Sequence, residues 1–254
     1  MTTNTRLIED SIDNFRNLQV PEDFRDCWAD IASRHGFSSF TYVGVQIGRD
    51  RLSEIVGHKR IPVYLTTVDP RWEEEYVLSA FFGSDPVVRE ALAHPIPIVS
   101  LDLIKHQVLA ESSRLVMNRA HDFSLSKVLT IPVHAFGGEI GIMSLYSSES
   151  EEEFYRCVSA FQHTLHVLAI HFHTVVQDVL GEPDSMLQKV PLTARELECL
   201  HWTAKGKTAW EIGRIIRISD RTVHHHVMSA FEKLRVVNKT HAVAKAVSLG
   251  LAAP

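Results

Sequence analysis

The sequence predicts an α+β protein: an N-terminal α/β/α sandwich with a mostly antiparallel sheet, followed by a separate C-terminal module of four short helices. Three observations carry this. Residues 129–135 and 139–146 are β-rich runs joined by Gly137-Gly138, a hairpin signal. Residues 151–179 read as one long helix. Past the short polar stretch Gly181-Glu182-Pro183-Asp184-Ser185, new helical patterns begin. The expected division is a domain over 1–176, a linker over 177–190 and a second domain over 191–254.

In the first domain, Ile8, Ile12 and Phe15 recur at helical spacing and mark an opening helix. Pro21 starts a second, with Phe24, Cys27, Trp28 and Ile31 on one face. Residues 40–47 and 61–65 read as strands, so helices precede and follow a sheet. Such layers can enclose a small-molecule pocket, although fold alone does not establish one. On the long helix, Phe161, Leu165, Leu168, Phe172 and Val176 form an apolar stripe. With few other places to use it, that stripe is expected to pair two subunits. His163, His166, His171 and His173 crowd the same helix. The spacing of His163 and His166 suits a metal, but no carboxylate or cysteine partner is evident, so a polar surface or subunit interface is the reading and no metal is expected.

Composition narrows the class. The 254 residues are 45% hydrophobic and 22% charged, which is globular rather than disordered. No apolar run approaches the ~20 residues that span a bilayer, and Met1-Thr2-Thr3-Asn4-Thr5 opens no signal peptide. Cys27, Cys157 and Cys199 are odd in number and far apart, so a reduced, cytoplasmic protein is expected. No nucleophile motif, P-loop, dinucleotide loop or metal motif is present, which argues against an enzyme. Charge is uneven. Residues 190–254 hold ten Lys/Arg against five Asp/Glu, whereas the remainder holds 16 against 26. A basic end on an acidic body suggests a polyanionic partner for that end.

The C-terminal module begins with Thr193 and Glu196 at capping-box spacing, and its first helix presents Leu197, Leu200 and Ala204. Thr208 caps a second helix carrying Ile212, Ile215 and Ile216. After the turn Ile218-Ser219-Asp220, the third helix buries Val223, Val227, Ala230, Phe231 and Leu234, and Asn238 caps a fourth. The opposite face of the third helix holds Arg221, His224, His225 and Met228. A short helix, a tight turn and a helix with such a face make a helix-turn-helix that fits the major groove of double-stranded DNA. Lys205, Lys207, Thr208, Thr222, Lys233 and Lys239 lie around it and suit phosphate contacts. A helical docking domain with a solvated polar face is the alternative reading of the same pattern.

Leu192-Thr193-x-Arg195-Glu196, Gly206-Lys207-Thr208, Glu211-Ile212, Ile218-Ser219-x-Arg221-Thr222-Val223-x-x-His226-Val227, Lys233-Leu234 and Asn238-Lys239-Thr240-x-Ala242-Val243 closely resemble the LuxR-type DNA-binding domain. That resemblance implies that His224, His225 and Met228 face bases and that His226 is structural. Upstream, Trp72-x-x-x-Tyr76 followed by Asp85-Pro86-Val87 resembles the signature of quorum-sensing regulators that bind acyl-homoserine lactones, as does Asp122-Phe123-x-Leu125-x-x-x-Leu129-Thr130-Ile131-Pro132. The resemblance implies that Trp72 holds the lactone carbonyl, Asp85 the amide N–H and Tyr76 the acyl carbonyl, with Ser144 adding a polar contact. Trp72 and Tyr76 share a helix face, and each joins a polar tip to an apolar body. Read without the family, both are core aromatics, and Asp85 is an N-cap with Pro86 at N1, as Asp69-Pro70 also is. The chain departs from the family where a second pocket Trp is usual (Val99-Ser100-Leu101), at a common glycine (Val128) and at an often aromatic position (Val68). The expectation is a homodimeric, ligand-responsive transcriptional regulator of quorum-sensing type, with an autoinducer, double-stranded DNA and RNA polymerase as partners and no membrane. A regulator whose N-terminal domain serves only dimerisation or protein docking is the alternative.

Overall fold

The computed structural model describes residues 3–46, 63–106, 108–135, 139–181, 192–234 and 236–248. They form two compact units, each taken by itself below. The expected turn at Gly137-Gly138 and the start of the strand at 61–62 lie outside the described residues.

The N-terminal unit opens with helices α1 (Thr3–Phe15) and α2 (Pro21–Arg34), then strands β1 (Ser39–Gln46) and β2 (Val63–Thr66). Four short helices follow: α3 (Pro70–Leu78), α4 (Pro86–Ala93), α5 (Ser100–His106) and α6 (Glu111–Asp122), with β3 (Ile98–Val99) between α4 and α5. Strands β4 (Val128–His134) and β5 (Glu139–Tyr146) lead into the long helix α7 (Glu151–Leu180). The sheet order is β2-β1-β5-β4-β3, and every pair is antiparallel.

Alternation along the strands assigns the two faces. Phe40, Tyr42, Leu129, Ile131, Met143 and Leu145 point to one side, where they pack with α1, α2 and α7. Phe172 of α7 sits at the centre, its ring 4.8 Å from Trp28 and 5.3 Å from Phe15. The expected use of the α7 stripe is therefore corrected. Leu165, Leu168, Phe172 and Val176 are fully buried in this core, because a sheet face needs a cover within its own unit. Val167, Ile170 and Val179 of α7 are large apolar residues left exposed. His173 is corrected too: it is buried, with its Nδ1 2.7 Å from the Tyr42 hydroxyl. Gly44 and Gly141, paired in register, admit this group, since a Cβ on Gly141 would lie 2.5 Å from His173 Nδ1. Burial holds the His173 imidazole down to about 4, hence neutral. His163 and His171 are exposed.

Among its described residues the C-terminal unit has four helices: α8 (Ala194–Ala204), α9 (Ala209–Ile216), α10 (Asp220–Lys233) and α11 (Lys239–Ser248). Both N-terminal helices carry full capping boxes, Thr193 with Glu196 and Thr208 with Glu211. Asn238 Oδ1 accepts from the His241 amide as the cap of α11. In the turn before α10, a Cβ on Gly213 would meet the Ile218 carbonyl oxygen at 2.6 Å, so glycine is what lets α9 meet that turn.

Candidate ligand cavity and nucleic-acid interface

The second face of the sheet, Thr41, Val43, Thr130, Ile142, Ser144 and Tyr146, lines a cavity of about 380 Å³ that is walled by residues of α3, α4 and α6. Asp69 caps α3 by accepting from the Arg71 amide, and Pro70 fits the first turn. Glu73, Tyr76 and Val77, at i, i+3 and i+4 on α3, face the cavity, with Trp72 beside them and Ala80 just past the end of the helix. Ala80 then adopts a left-handed conformation (φ 51°), which turns the chain toward Asp85.

Asp85 divides its two oxygens. Oδ1 accepts from the amides of Val87 and Val88 at 2.8 and 3.4 Å and caps α4. Oδ2 accepts from the Tyr76 hydroxyl at 2.8 Å. Burial raises the Asp85 pKa against the lowering effect of these hydrogen bonds. Burial and the neighbouring Asp85 charge push Tyr76 well above the usual phenol range. Trp72 is 6% exposed, within an aromatic cluster of Tyr76, Phe81 and Phe123 at ring distances of 5.4, 6.1 and 5.4 Å. Ser144 lies on the cavity floor, 3.0 Å from Thr130 Oγ1 in the next strand. Its register partners extend a row of hydroxyls: Thr41 pairs with Ser144 on one side and with Thr66, at 3.0 Å, on the other.

Trp72, Tyr76, Asp85 and Ser144 thus converge on one cavity. Sequence reading missed Glu73, Tyr64, Tyr146, Thr41 and Thr130, which also line it. The helical spacing of Glu73 with Tyr76 and Val77 was a usable signal for the first. The strand residues required the register.

In the C-terminal unit, the face of α10 carrying Arg221, His224, His225 and Met228 is exposed, and Val223 and Ala230 on the other side are fully buried. Lys205 and Lys239 are exposed. Lys207 pairs with Glu211 at 3.3 Å, Thr208 donates to Glu211 at 2.9 Å, and the Thr222 hydroxyl lies 2.7 Å from Ser219. The reading of Lys233 as a phosphate ligand is corrected: its ammonium donates to both oxygens of Glu196, at 2.8 and 2.7 Å. Glu196 is 4% exposed and also accepts from Ser229 at 2.7 Å. Burial pushes its pKa up, but Lys233, Ser229 and the Thr193 cap outweigh this and hold it down at about 2. The buried side of α8 is therefore Glu196, Cys199, Leu200 and Thr203, with Leu197 36% exposed; on α9, Ile215 is 43% exposed.

Residues 21–176 match the autoinducer binding domain, and residues 190–246 match the bacterial regulatory proteins of the luxR family. The HTH-type quorum sensing-dependent transcriptional regulator RpaR of Rhodopseudomonas palustris is 32% identical over 241 residues, 94% of this chain and 92% of its own. The putative HTH-type transcriptional regulator y4qH of Sinorhizobium fredii is 33% identical over 181 residues, 71% of this chain and 54% of its own, so that match spans about half the relative's length. Among solved structures, SdiA in complex with octanoyl-rac-glycerol shares the fold with a TM-score of 0.73 at 18% identity, over 100% of this chain and 99% of that one.

Proposed function

We propose, for a chain that belongs to the luxR family of ligand-responsive, DNA-binding transcriptional regulators and carries an autoinducer-binding domain, that its cavity takes an acyl-homoserine lactone or a related amphiphile. The observation that supports this most directly is the Tyr76–Asp85 pair set in the wall of a largely apolar cavity. Trp72 donates to the lactone carbonyl, Asp85 accepts from the amide N–H, Tyr76 donates to the acyl carbonyl, and Ser144 adds a contact from the floor. Ligand entry exchanges partners: the amide N–H replaces the Tyr76 hydroxyl on Asp85, which frees that hydroxyl for the carbonyl. No buried polar group is then left unpaired, so the exchange avoids the cost of about 1–3 kcal/mol per orphaned group. Mass spectrometry of the organic extract of purified protein, with thermal melts in added octanoyl-homoserine lactone, tests this. A co-purified acylated lactone or a ligand-induced rise in melting temperature is expected. Neither appearing would leave the N-terminal domain as a dimerisation or docking unit.

The protein works in the cytoplasm as a homodimer. Val167 and Ile170 on the outward side of α7 offer apolar contact area, and two modules then read half-sites about 34 Å apart. Bound to its operator, it contacts RNA polymerase. Base readout falls to Arg221, His224, His225 and Met228; phosphate contacts fall to Lys205, Lys207, Thr208, Thr222 and Lys239. Roughly 3–6 phosphate contacts per module should make binding fall steeply with salt. Lys207→Ala is expected to weaken all DNA sequences by a similar factor, because phosphates carry no sequence. His225→Ala should relax preference at one base position by about 1–3 kcal/mol there. Titrations of operator and scrambled DNA at several salt concentrations measure both. Equal losses across all sequences for His225→Ala would move the recognition face elsewhere.

A further inference from the structure

The turn between α9 and α10 places an arginine where glycine would fit. Arg217 ends α9 in the left-handed region, at φ 58°. A side chain there crowds Cβ against the following carbonyl, so helices very often close on glycine at this point. The same module does so after α8, where Gly206 takes φ 78° with open space around a would-be Cβ. The turn itself uses no side chain at 217. The amides of Arg217 and Ile218 both donate to the Gly213 carbonyl, and Gly213 makes the close approach to the Ile218 carbonyl oxygen. These backbone bonds leave the arginine side chain unaccounted for.

The Arg217 side chain is exposed and its guanidinium has no partner among the described residues. Other arginines of the module are engaged: Arg195 pairs with Glu198 at 2.7 Å, and Arg214 lies over the Trp210 ring at 5.7 Å. Asp220, the nearest carboxylate in the chain, turns Oδ1 back to the Arg221 amide at 2.9 Å. Among the described residues, Arg217 and Arg221 are thus two unpaired guanidinium groups on either side of the Ser219 cap, four positions apart. A guanidinium is a planar fork of donors with a fixed charge, and it matches a phosphate bidentately. Phosphates flank the groove that a recognition helix enters. We propose that Arg217 is a DNA-backbone contact, kept in its left-handed turn at a cost to stability because its guanidinium meets a phosphate beside the groove that α10 reads. This rests on the reading of α10 as the DNA-facing helix. Every sequence carries phosphates, so the contact adds affinity and no specificity.

The test titrates the full-length protein with two short duplexes of unrelated sequence at several salt concentrations, beside thermal melts. Arg217→Gly should bind both duplexes about five- to tenfold more weakly at about 0.1 M salt, with the salt slope reduced by about 0.9 per bound module. Its melting temperature should rise by about 2–5 °C, because glycine takes the left-handed conformation freely. Arg217→Gln keeps the strain and drops the charge, so the same loss of affinity is expected at an unchanged melting temperature. Arg217→Lys keeps the charge, and its salt slope should match wild type. Arg217→Gln binding as tightly as wild type, or weakening on one duplex and not the other, overturns the proposal. So does an Arg217→Gly protein that melts no higher than wild type, which would make the arginine a structural part of the turn. Wild type binding neither duplex would instead overturn the reading of α10 as the DNA-facing helix.

Discussion

Asp85→Asn is expected to raise the concentration of octanoyl-homoserine lactone needed for a half-maximal response at least about tenfold, while the ligand-free melting temperature barely moves. The two carboxylate oxygens explain why the effects separate. Oδ1 caps α4 through the Val87 and Val88 amides, and asparagine caps a helix about as well as aspartate. Oδ2 faces Tyr76 and the cavity. There the substitution removes a charge, and hydrogen bonds to charged groups contribute roughly 1.5–3 kcal/mol. It also points an N–H group at the ligand's own amide N–H. The ligand-free fold loses little, since the carboxamide can still bond to the Tyr76 oxygen. Asp85→Ala should behave differently. It loses the cap, about 1 kcal/mol, and strands the Tyr76 hydroxyl in a buried site, so melting temperature and ligand response should fall together. Reporter titrations beside thermal melts of both variants measure this. An unchanged dose response in Asp85→Asn would reduce Asp85 to a helix cap and remove the main support for a lactone head group.

The dual use of Asp85 also shows what sequence could and could not say. Cap and ligand contact looked like rival roles because the residue has one position in the chain; in the structure the cap uses Oδ1 alone, and Oδ2 faces Tyr76 and the cavity. Signals that depend on local spacing survived. Trp72 and Tyr76 share one stretch of α3, the Thr193 capping box and the Thr208 cap formed, and the α10 stripe is buried at Val223, Ala230 and Phe231. Signals that depend on partners far along the chain did not. Helices α4 and α5 span 8 and 7 residues, too short for periodicity to declare them. The hydroxyl row of Thr41, Ser144 and Thr130 exists only through strand register. The α7 stripe was correctly read as apolar, but its partner was misassigned, because amphipathicity states that a face is buried and not against what. Lys233 was misread for the same reason: a lysine beside a recognition helix resembles a phosphate ligand until Glu196, 37 residues earlier, is seen beneath it.

That ion pair carries the largest expected stability effect. Glu196 sits on the buried side of α8, completes the Thr193 capping box at 2.7 Å, and holds Ser229 and Lys233 of α10. It therefore ties the first helix of the module to the helix that presents Arg221, His224, His225 and Met228. Its folded pKa of about 2 lies below the ordinary 4.5, a displacement on the order of 3 kcal/mol. The sign follows from the depressed value. The stabilisation is fully present above about pH 4.5 and is lost as pH falls toward 2, where the native carboxylate takes up its proton. Removing one partner of a buried pair costs roughly 3–5 kcal/mol. The Lys233 side chain is 31% exposed and can rehydrate, so the lower end applies. Glu196→Ala should destabilise the C-terminal unit by about 3 kcal/mol and weaken operator binding, because α10 loses its tie to α8. Glu196→Gln keeps one acceptor oxygen, for the Thr193 amide, and can donate its NH2 to the Ser229 oxygen, but it loses the charge, so about half that loss is expected. Urea unfolding of the full-length chain at neutral pH and at about pH 3, with operator titrations at neutral pH, measures both. The gap between wild type and Glu196→Gln should narrow at about pH 3, which lies below the ordinary 4.5: the unfolded wild-type carboxylate is then protonated, and ionising it in the native state offsets part of the pair's stabilisation. A gap that is equal at both pH values would show that the carboxylate acts through shape and hydrogen bonding alone, and a Glu196→Ala protein as stable as wild type would make the pair no stronger than an exposed one, worth at most about 1 kcal/mol.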